Sequence, residues 1–233
     1  MSQTRSIIFG GALALTLVVQ GEAADIPTYQ QPFVPFVPAV YNWTGVYLGV
    51  NAGYGYAQAT ETASDGFGFS LSSTENLNGP IGGVHFGGNY QTGSFVIGIE
   101  VDATASGQKN TTTIGAFVPI TLEDKVTWLT TARLRFGGAI DRVLLYGTAG
   151  GAYGEFTSTV TVPLLGSAST STQRAGAVVG AGVEYAFTAG LIGRLEYLYL
   201  RSADQTNQFF GVSVSNHLSD NLIRAGLSYK FGP

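Results

Sequence analysis

From Asn221 to Phe231 the chain reads N-L-I-R-A-G-L-S-Y-K-F, and the period of two that a strand imposes divides it into unlike faces. Ile223, Ala225, Leu227, Tyr229 and Phe231 fall on one side. Leu222, Arg224, Gly226, Ser228 and Lys230 fall on the other. An apolar face ending in two aromatics, opposite glycine, hydroxyl and charge, suits a strand set between lipid and a polar barrel lumen. One such strand constrains little, so the weight rests on its recurrence.

The split recurs along the chain. Val46 to Tyr56 sets Val46, Leu48, Val50, Ala52, Tyr54 and Tyr56 against Tyr47, Gly49, Asn51, Gly53 and Gly55. Gly82 to Gln91 and Phe95 to Ala105 follow, the second alternating Phe95, Ile97, Ile99, Val101 and Ala103 with Val96, Gly98, Glu100, Asp102 and Thr104. Lys125 to Gly137 carries Trp128, Ala132, Leu134 and Phe136 opposite Arg133 and Arg135. Arg142 to Tyr153 is apolar on both sides, which leaves its faces open. Gln173 to Phe187, Leu191 to Arg201 and the closing strand bring the count to eight. Between them the connections alternate long and short. The long ones, at Ala57–Pro80, Ser106–Asp124, Gly154–Thr172 and Ser202–Ser219, are polar and read as loops, with Ala116 to Ile120 able to extend a strand beyond the membrane. An even strand number with short turns at one end and long connections at the other predicts an all-β, eight-stranded antiparallel up-and-down transmembrane β-barrel.

The ends add two expectations. Arg5, an apolar run from Ile7 to Val19 and the small residues of Gly21-Glu22-Ala23 read as a secretory signal, placing a signal peptide at 1–23. Pro27, Pro32, Pro35 and Pro38 make 24–41 an extended periplasmic tether, because proline cannot donate to a ladder. The barrel then occupies 42–233. No cysteine is present, so neither a disulfide nor a thiolate metal site is available. A formal charge of −4 gives no basic footprint for nucleic acid.

The same alternation also suits a soluble barrel with the apolar face turned inward. Volume decides against it. Eight strands enclose an interior just wide enough for side chains, and the apolar faces carry bulky Leu, Ile, Tyr, Phe and Trp. Reversed, the lumen holds small residues and a few long charged ones, and the apolar face meets lipid. Trp43, Tyr54, Trp128, Phe136, Tyr185, Phe187, Tyr229 and Phe231 then form aromatic girdles at the two interfaces.

Several segments carry a family resemblance: Asn42-Trp43-Thr44-Gly45-Val46-Tyr47, Gly98-Ile99-Glu100-Val101-Asp102, Leu145-Tyr146-Gly147-Thr148-Ala149-Gly150-Gly151, Arg194-Leu195-Glu196-Tyr197-Leu198-Tyr199 and Arg224-Ala225-Gly226-Leu227-Ser228-Tyr229-Lys230-Phe231. In this order the chain resembles the alphaproteobacterial outer-membrane β-barrel family, the small surface proteins of the rhizobial RopB type and their Brucella relatives. The resemblance implies a cell outer-membrane protein without enzymatic activity or cofactor, contributing to envelope integrity and presenting surface loops. Implied partners are outer-membrane lipid and lipopolysaccharide, the barrel assembly machinery through the C-terminal strand, and an extracellular ligand at the long loops. Gly232-Pro233 depart from the family's aromatic end.

The inward charges nearly balance: Glu100, Asp102, Glu184 and Glu196 against Arg133, Arg135, Arg194, Arg224 and Lys230. Buried charges need partners, so these predict a structural ion-pair network that fills the lumen and leaves no open pore. Paired carboxylates at Glu100 and Asp102 also suit acid–base chemistry, a reading the balance disfavours. His217 and Ser219 stand two apart, as in barrels that deacylate lipid A, yet they fall at a loop junction without a third member. His85 reads as a lone lumen histidine. The strings Gly82-Gly83, Gly87-Gly88 and Gly150-Gly151 lack the Lys-Ser/Thr of a phosphate loop. No catalytic, cofactor-binding or metal residue is assigned. Three other functions compete with the structural one: an adhesin-like binding module, a small porin and a lipid A-modifying hydrolase.

Overall fold

The computed structural model describes residues 41–64, 70–115, 119–163, 165–203, 205–209 and 212–232. Among these are ten strands: β1 (Gly45–Ser64), β2 (Ser70–Thr92), β3 (Phe95–Ser106), β4 (Lys109–Ile114), β5 (Ile120–Ile140), β6 (Val143–Val162), β7 (Gly166–Ala186), β8 (Leu191–Ser202), β9 (Gln205–Phe209) and β10 (Val212–Phe231). Eight of them close a ring in the order β1-β2-β3-β5-β6-β7-β8-β10, all neighbours antiparallel, with β10 pairing back onto β1. The expected signal peptide and all of the tether but Tyr41 lie outside the described residues.

The faces point as volume requires. Ile99 is 64% exposed while Glu100 beside it is 1% exposed, which places the aliphatic row outside and the carboxylate inside. In β6, where sequence left the choice open, Leu145 faces out and Leu144 and Tyr146 face in. Outward aromatics gather at two heights. Tyr185 stacks edge-on with Phe187 at 5.2 Å and Tyr229 with Phe231 at 5.1 Å near the short turns. Tyr54 meets Tyr56 at 5.0 Å and Trp128 meets Tyr153 at 5.8 Å at the far height. Ten strand steps of ~3.3 Å, tilted ~40°, separate the two rings by roughly 25 Å, the thickness of an outer-membrane apolar band.

Trp43 does not belong to either ring. It is fully buried and packs with Tyr41, Val96, Ala139, Leu144, Tyr146, Ala186 and Ile192, closing the short-turn end of the lumen from within. Its backbone N–H donates to Gln91 Oε1 at 2.7 Å and its indole N–H to the Asp141 carbonyl at 3.2 Å. Trp43 precedes β1, so the period of two does not govern it, and an indole whose N–H is satisfied by a carbonyl suits an interior position.

The polar connections also differ from the loops expected of them. Most of Ala57–Pro80 and Gly154–Thr172 is strand, because β1, β2, β6 and β7 continue well past the outer aromatics. Parts of the other two connections form β4, β9 and the beginnings of β5 and β10. Of the stretch Ala116 to Ile120, residues 116–118 lie outside the described residues and Ile120 opens β5. Hydroxyl pairs across the strands explain the extension: Thr157–Ser171, Thr159–Ser169 and Thr161–Ser167 each lie 2.9 Å apart, and Thr60–Thr74 and Thr62–Ser72 each 3.3 Å. Such pairs stabilise a sheet that is wet on both sides, where no apolar alternation marks it.

Above the membrane the ring divides. The β7–β8 pairing ends at Gly176 and Ser202, with one last bond from the Ala203 N–H to the Ala175 carbonyl at 3.0 Å. Farther out, β7 pairs with β6 alone, and β9 pairs only with β10. Across the barrel β2 and β4 share the single pair Asn78 and Lys109. Among the described residues the outer part is therefore two sheets, β9-β10-β1-β2 and β4-β5-β6-β7. Pro80 sits in β2 opposite the break between β3 and β4, where its carbonyl accepts from the Gly107 N–H at 2.9 Å and no donor is required of it.

Candidate functional site

Strand register assembles the lumen charges. Glu100 of β3 lies opposite Arg133 of β5, Glu184 of β7 opposite Arg194 of β8, and Glu196 of β8 opposite Arg224 of β10. All six side chains project inward at one level, and Asp102 and Arg135 join them from the same two strands.

Glu100 is the hub. Its Oε1 accepts from Arg133 Nη2 at 2.5 Å and Arg194 Nη1 at 3.0 Å. Its Oε2 accepts from Arg194 Nη2 and the Tyr47 hydroxyl, each at 2.7 Å. Asp102 accepts from Arg133 Nη2 at 2.9 Å, from both terminal nitrogens of Arg224 at 3.2 Å and from the Thr131 hydroxyl at 2.5 Å. Glu196 bridges Arg133 Nη1 at 2.9 Å and Arg224 Nε at 2.7 Å, while Glu184 takes Arg135 Nη2 at 2.6 Å and Arg194 Nη2 at 2.7 Å. Four carboxylates thus meet four guanidinium groups, every one of the eight residues at most 4% exposed. The charge-assisted bonds and the equal numbers of the two signs are what buried charge requires.

Lys230 stands apart from the eight. It lies at the short-turn end, where its Nζ donates to the Asn42 carbonyl and sits 4.7 Å from the Tyr41 ring centre. Four residues beyond Gly226 along an inward row, it is carried below the charged layer. There it holds the segment that plugs the barrel. The Tyr41 hydroxyl donates to the Ala189 carbonyl at 3.1 Å, and burial, with a smaller contribution from Glu184, pushes this phenol up to about 12. It stays a donor across the working range.

Two tyrosines belong to the site and were missed in sequence. Tyr47 lies between Glu100 and Arg135, and the Arg135 guanidinium stacks 3.9 Å from the Tyr146 ring centre while the Tyr146 hydroxyl donates to Glu196 Oε1 at 2.9 Å. Each ring crosses over a glycine on the neighbouring strand. A Cβ on Gly87 would lie 2.4 Å from the Tyr47 hydroxyl, and one on Gly182 2.5 Å from that of Tyr146. For Tyr47 the signal was present, since it stands on the glycine-rich face of its strand, whereas Tyr146 lies on the strand whose faces sequence left open. His85 is not alone: its Nε2 lies 2.7 Å from the Ser228 hydroxyl and its Nδ1 3.4 Å from Asn51 Nδ2. All three side chains are buried. The His217 side chain lies outside the described residues, and with it the His217–Ser219 pair. Among the described residues no group of three potential metal ligands occurs.

Apolar layers cover the charges on the outer side. Ile81, Val178, Leu198, Leu200 and Leu222 form the first, and Ala57, Leu77 and Val126 the second. Beyond them opens a polar cup of about 270 Å³, bordered by Glu75, Asp124, Thr170, Thr172 and Arg174 over Phe156.

A closed antiparallel ring, apolar outside between two aromatic belts and charged within, defines a transmembrane β-barrel of the outer-membrane type. The chain belongs to the family described as outer membrane protein beta-barrel domain, whose model matches residues 11–231. It is 32% identical to the 31 kDa outer-membrane immunogenic protein of Brucella melitensis, over 97% of this chain and all of that protein. It is 30% identical to the 25 kDa outer-membrane immunogenic protein of Brucella canis, over 99% of this chain and all of the relative. Among solved structures, the outer membrane protease OmpT of Escherichia coli superposes with a TM-score of 0.50 at 10% identity, covering 82% of this chain and 98% of that one, a likeness of fold alone. The protein is an outer-membrane protein of this alphaproteobacterial group.

Proposed function

We propose that the protein is a non-enzymatic structural barrel that contributes to envelope integrity and displays its outer hairpins at the cell surface. The observation that carries this reading is the charge-balanced network of buried ion pairs with apolar layers above it and the Tyr41–Trp43 plug below. A lumen filled in this way supports rigidity rather than passage. Surface display accords with relatives named as immunogenic outer-membrane proteins. Lipid and lipopolysaccharide surround the apolar band, and the closing strand, ending at Tyr229 and Phe231, is the segment for the assembly machinery to engage.

Deletion of the gene tests the proposal. Loss of the protein should sensitise cells to vancomycin and to bile salts, and both the intact protein and a variant shortened between Thr157 and Ser171 should restore resistance. Unchanged sensitivity in the deletion strain would oppose the structural role. A second reading, a ligand- or host-binding surface protein, draws on the polar cup with its Glu75, Asp124 and Arg174. Under that reading the shortened variant folds but fails to restore function.

A further inference from the structure

The point where β7 and β8 part coincides with a small half-open cavity. About 40 Å³ in volume, it lies between the two apolar layers at the height of Tyr153 and is bounded by Leu129, Ala152, Leu200, Leu218 and Phe156. A water needs roughly 10–15 Å³ of such space, so the cavity takes a chain end of a few heavy atoms. It is not isolated. Ala175, Gly176, Arg201 and Ser202 line both this cavity and an open groove on the outer wall, whose remaining members, Ala177 and Ala203, are small. Apart from Arg201 the wall here carries only small side chains, and among the described residues no ladder bond joins β7 and β8 beyond Ala203 to Ala175.

Most of the lining surface is apolar, and its polar members are Tyr153, Glu155, Arg174, Arg201, Ser202 and Asp220. Asp220 is 3% exposed and lines the cavity. Its Oδ1 accepts from Gln108 Nε2 at 2.8 Å, and the backbone N–H groups of Tyr56 and Asn221 lie near the carboxylate. Its Oδ2 has no hydrogen-bond partner among the described residues. The other acids of the lumen are bonded through both oxygens or bridged by two arginines, so among the described acids Asp220 is the one with a buried oxygen left open. A buried acceptor without a donor is unfavourable and calls for one.

We infer that this cavity binds the end of a short aliphatic molecule bearing a single hydrogen-bond donor, an alcohol or a primary amine, entered from the side where β7 and β8 separate at the outer interface. The chain fills the space against Leu129, Leu200 and Leu218, and the donor closes Asp220 Oδ2. At Asp220 a carboxylate would meet like charge, whereas an alcohol or amine donates to it. The site is separate from the proposed structural role, since the charged layer and the plug below it stay as they are.

The test uses the full chain, folded in lipid nanodiscs with ¹³C-labelled leucine methyl groups and titrated with n-butanol. Saturable shifts at Leu129, Leu200 and Leu218 are expected. Methyl propyl ether, which matches butanol in heavy atoms but donates nothing, should bind at least about tenfold more weakly, as one lost hydrogen bond to a buried acid implies. Asp220→Asn should weaken butanol by a similar factor. Ala152→Met, which fills the cavity without touching Asp220, should abolish the shifts while the unboiled protein keeps its fast electrophoretic mobility. Shifts that rise without saturating, equal responses to alcohol and ether, no response at all, or full affinity in both variants would each overturn the inference.

Discussion

Arg194 holds Glu100 with both terminal nitrogens, at 3.0 and 2.7 Å, across a lumen in which neither side chain reaches solvent. The two come from strands far apart in sequence, so the pair ties opposite walls of the ring. Glu100→Ala would leave Arg133 and Arg194 short of a partner in a dry interior. A loss of about 3–5 kcal/mol is expected, the scale for breaking one side of a buried pair. Urea unfolding of the protein in lipid vesicles measures it, and a change under 1 kcal/mol would mean that the network is not structural.

Gly182 makes room for Tyr146. Gly182→Ala places a methyl where the Tyr146 hydroxyl now lies, displacing the ring from Arg135 and Glu196. The expected destabilisation is ~1–3 kcal/mol, typical of overpacking. Gly182→Ala combined with Tyr146→Phe should recover part of it, and strictly additive losses in that double variant would speak against the contact.

Leu227 faces lipid near mid-height and Ser228 beside it faces the lumen. Leu227→Arg should cost ~2–4 kcal/mol near the midplane. The same replacement at Asn221, in the outer aromatic row, should cost much less. Folding yields in vesicles report both, and equal penalties would place the apolar band elsewhere.

The Ser/Thr rungs of β6 and β7 stabilise only the outer hairpin. Changing Thr157, Thr159 and Thr161 to alanine should speed amide exchange between Thr157 and Ser171, each pair contributing ~0.2–1 kcal/mol, while the unfolding midpoint of the barrel stays in place. A shifted midpoint would show that the hairpin and the barrel form one cooperative unit.

How far sequence reaches follows from what sets each feature. Within the membrane, lipid outside and charge inside impose alternation, so Phe95 to Ala105 declares its face residue by residue. The acids and arginines of the network were legible for the same reason, because a charge in a narrow lumen has to meet its opposite. Outside the membrane both faces are wet, alternation fades, and Thr157 to Ser171 looks like loop although its hydroxyl pairs make it strand. Trp43 misled because it belongs to no strand, and its aromatic character suits a girdle and a plug equally. Tyr47 stood on a legible inward face and Tyr146 on a strand with both faces apolar, and the role of each depends on which glycine lies across from it, which is decided by register. The parting of β7 and β8 leaves no mark on composition at all.

The most direct test of a filled lumen is single-channel recording in planar bilayers, using protein whose unboiled form migrates faster than its boiled form and is therefore folded. The plug, the charged layer and the apolar layers together predict a flat current with no discrete steps. Stable, ohmic openings from the wild-type protein would contradict the account, since ions would then be crossing the layer where Glu100, Arg133 and Arg194 meet.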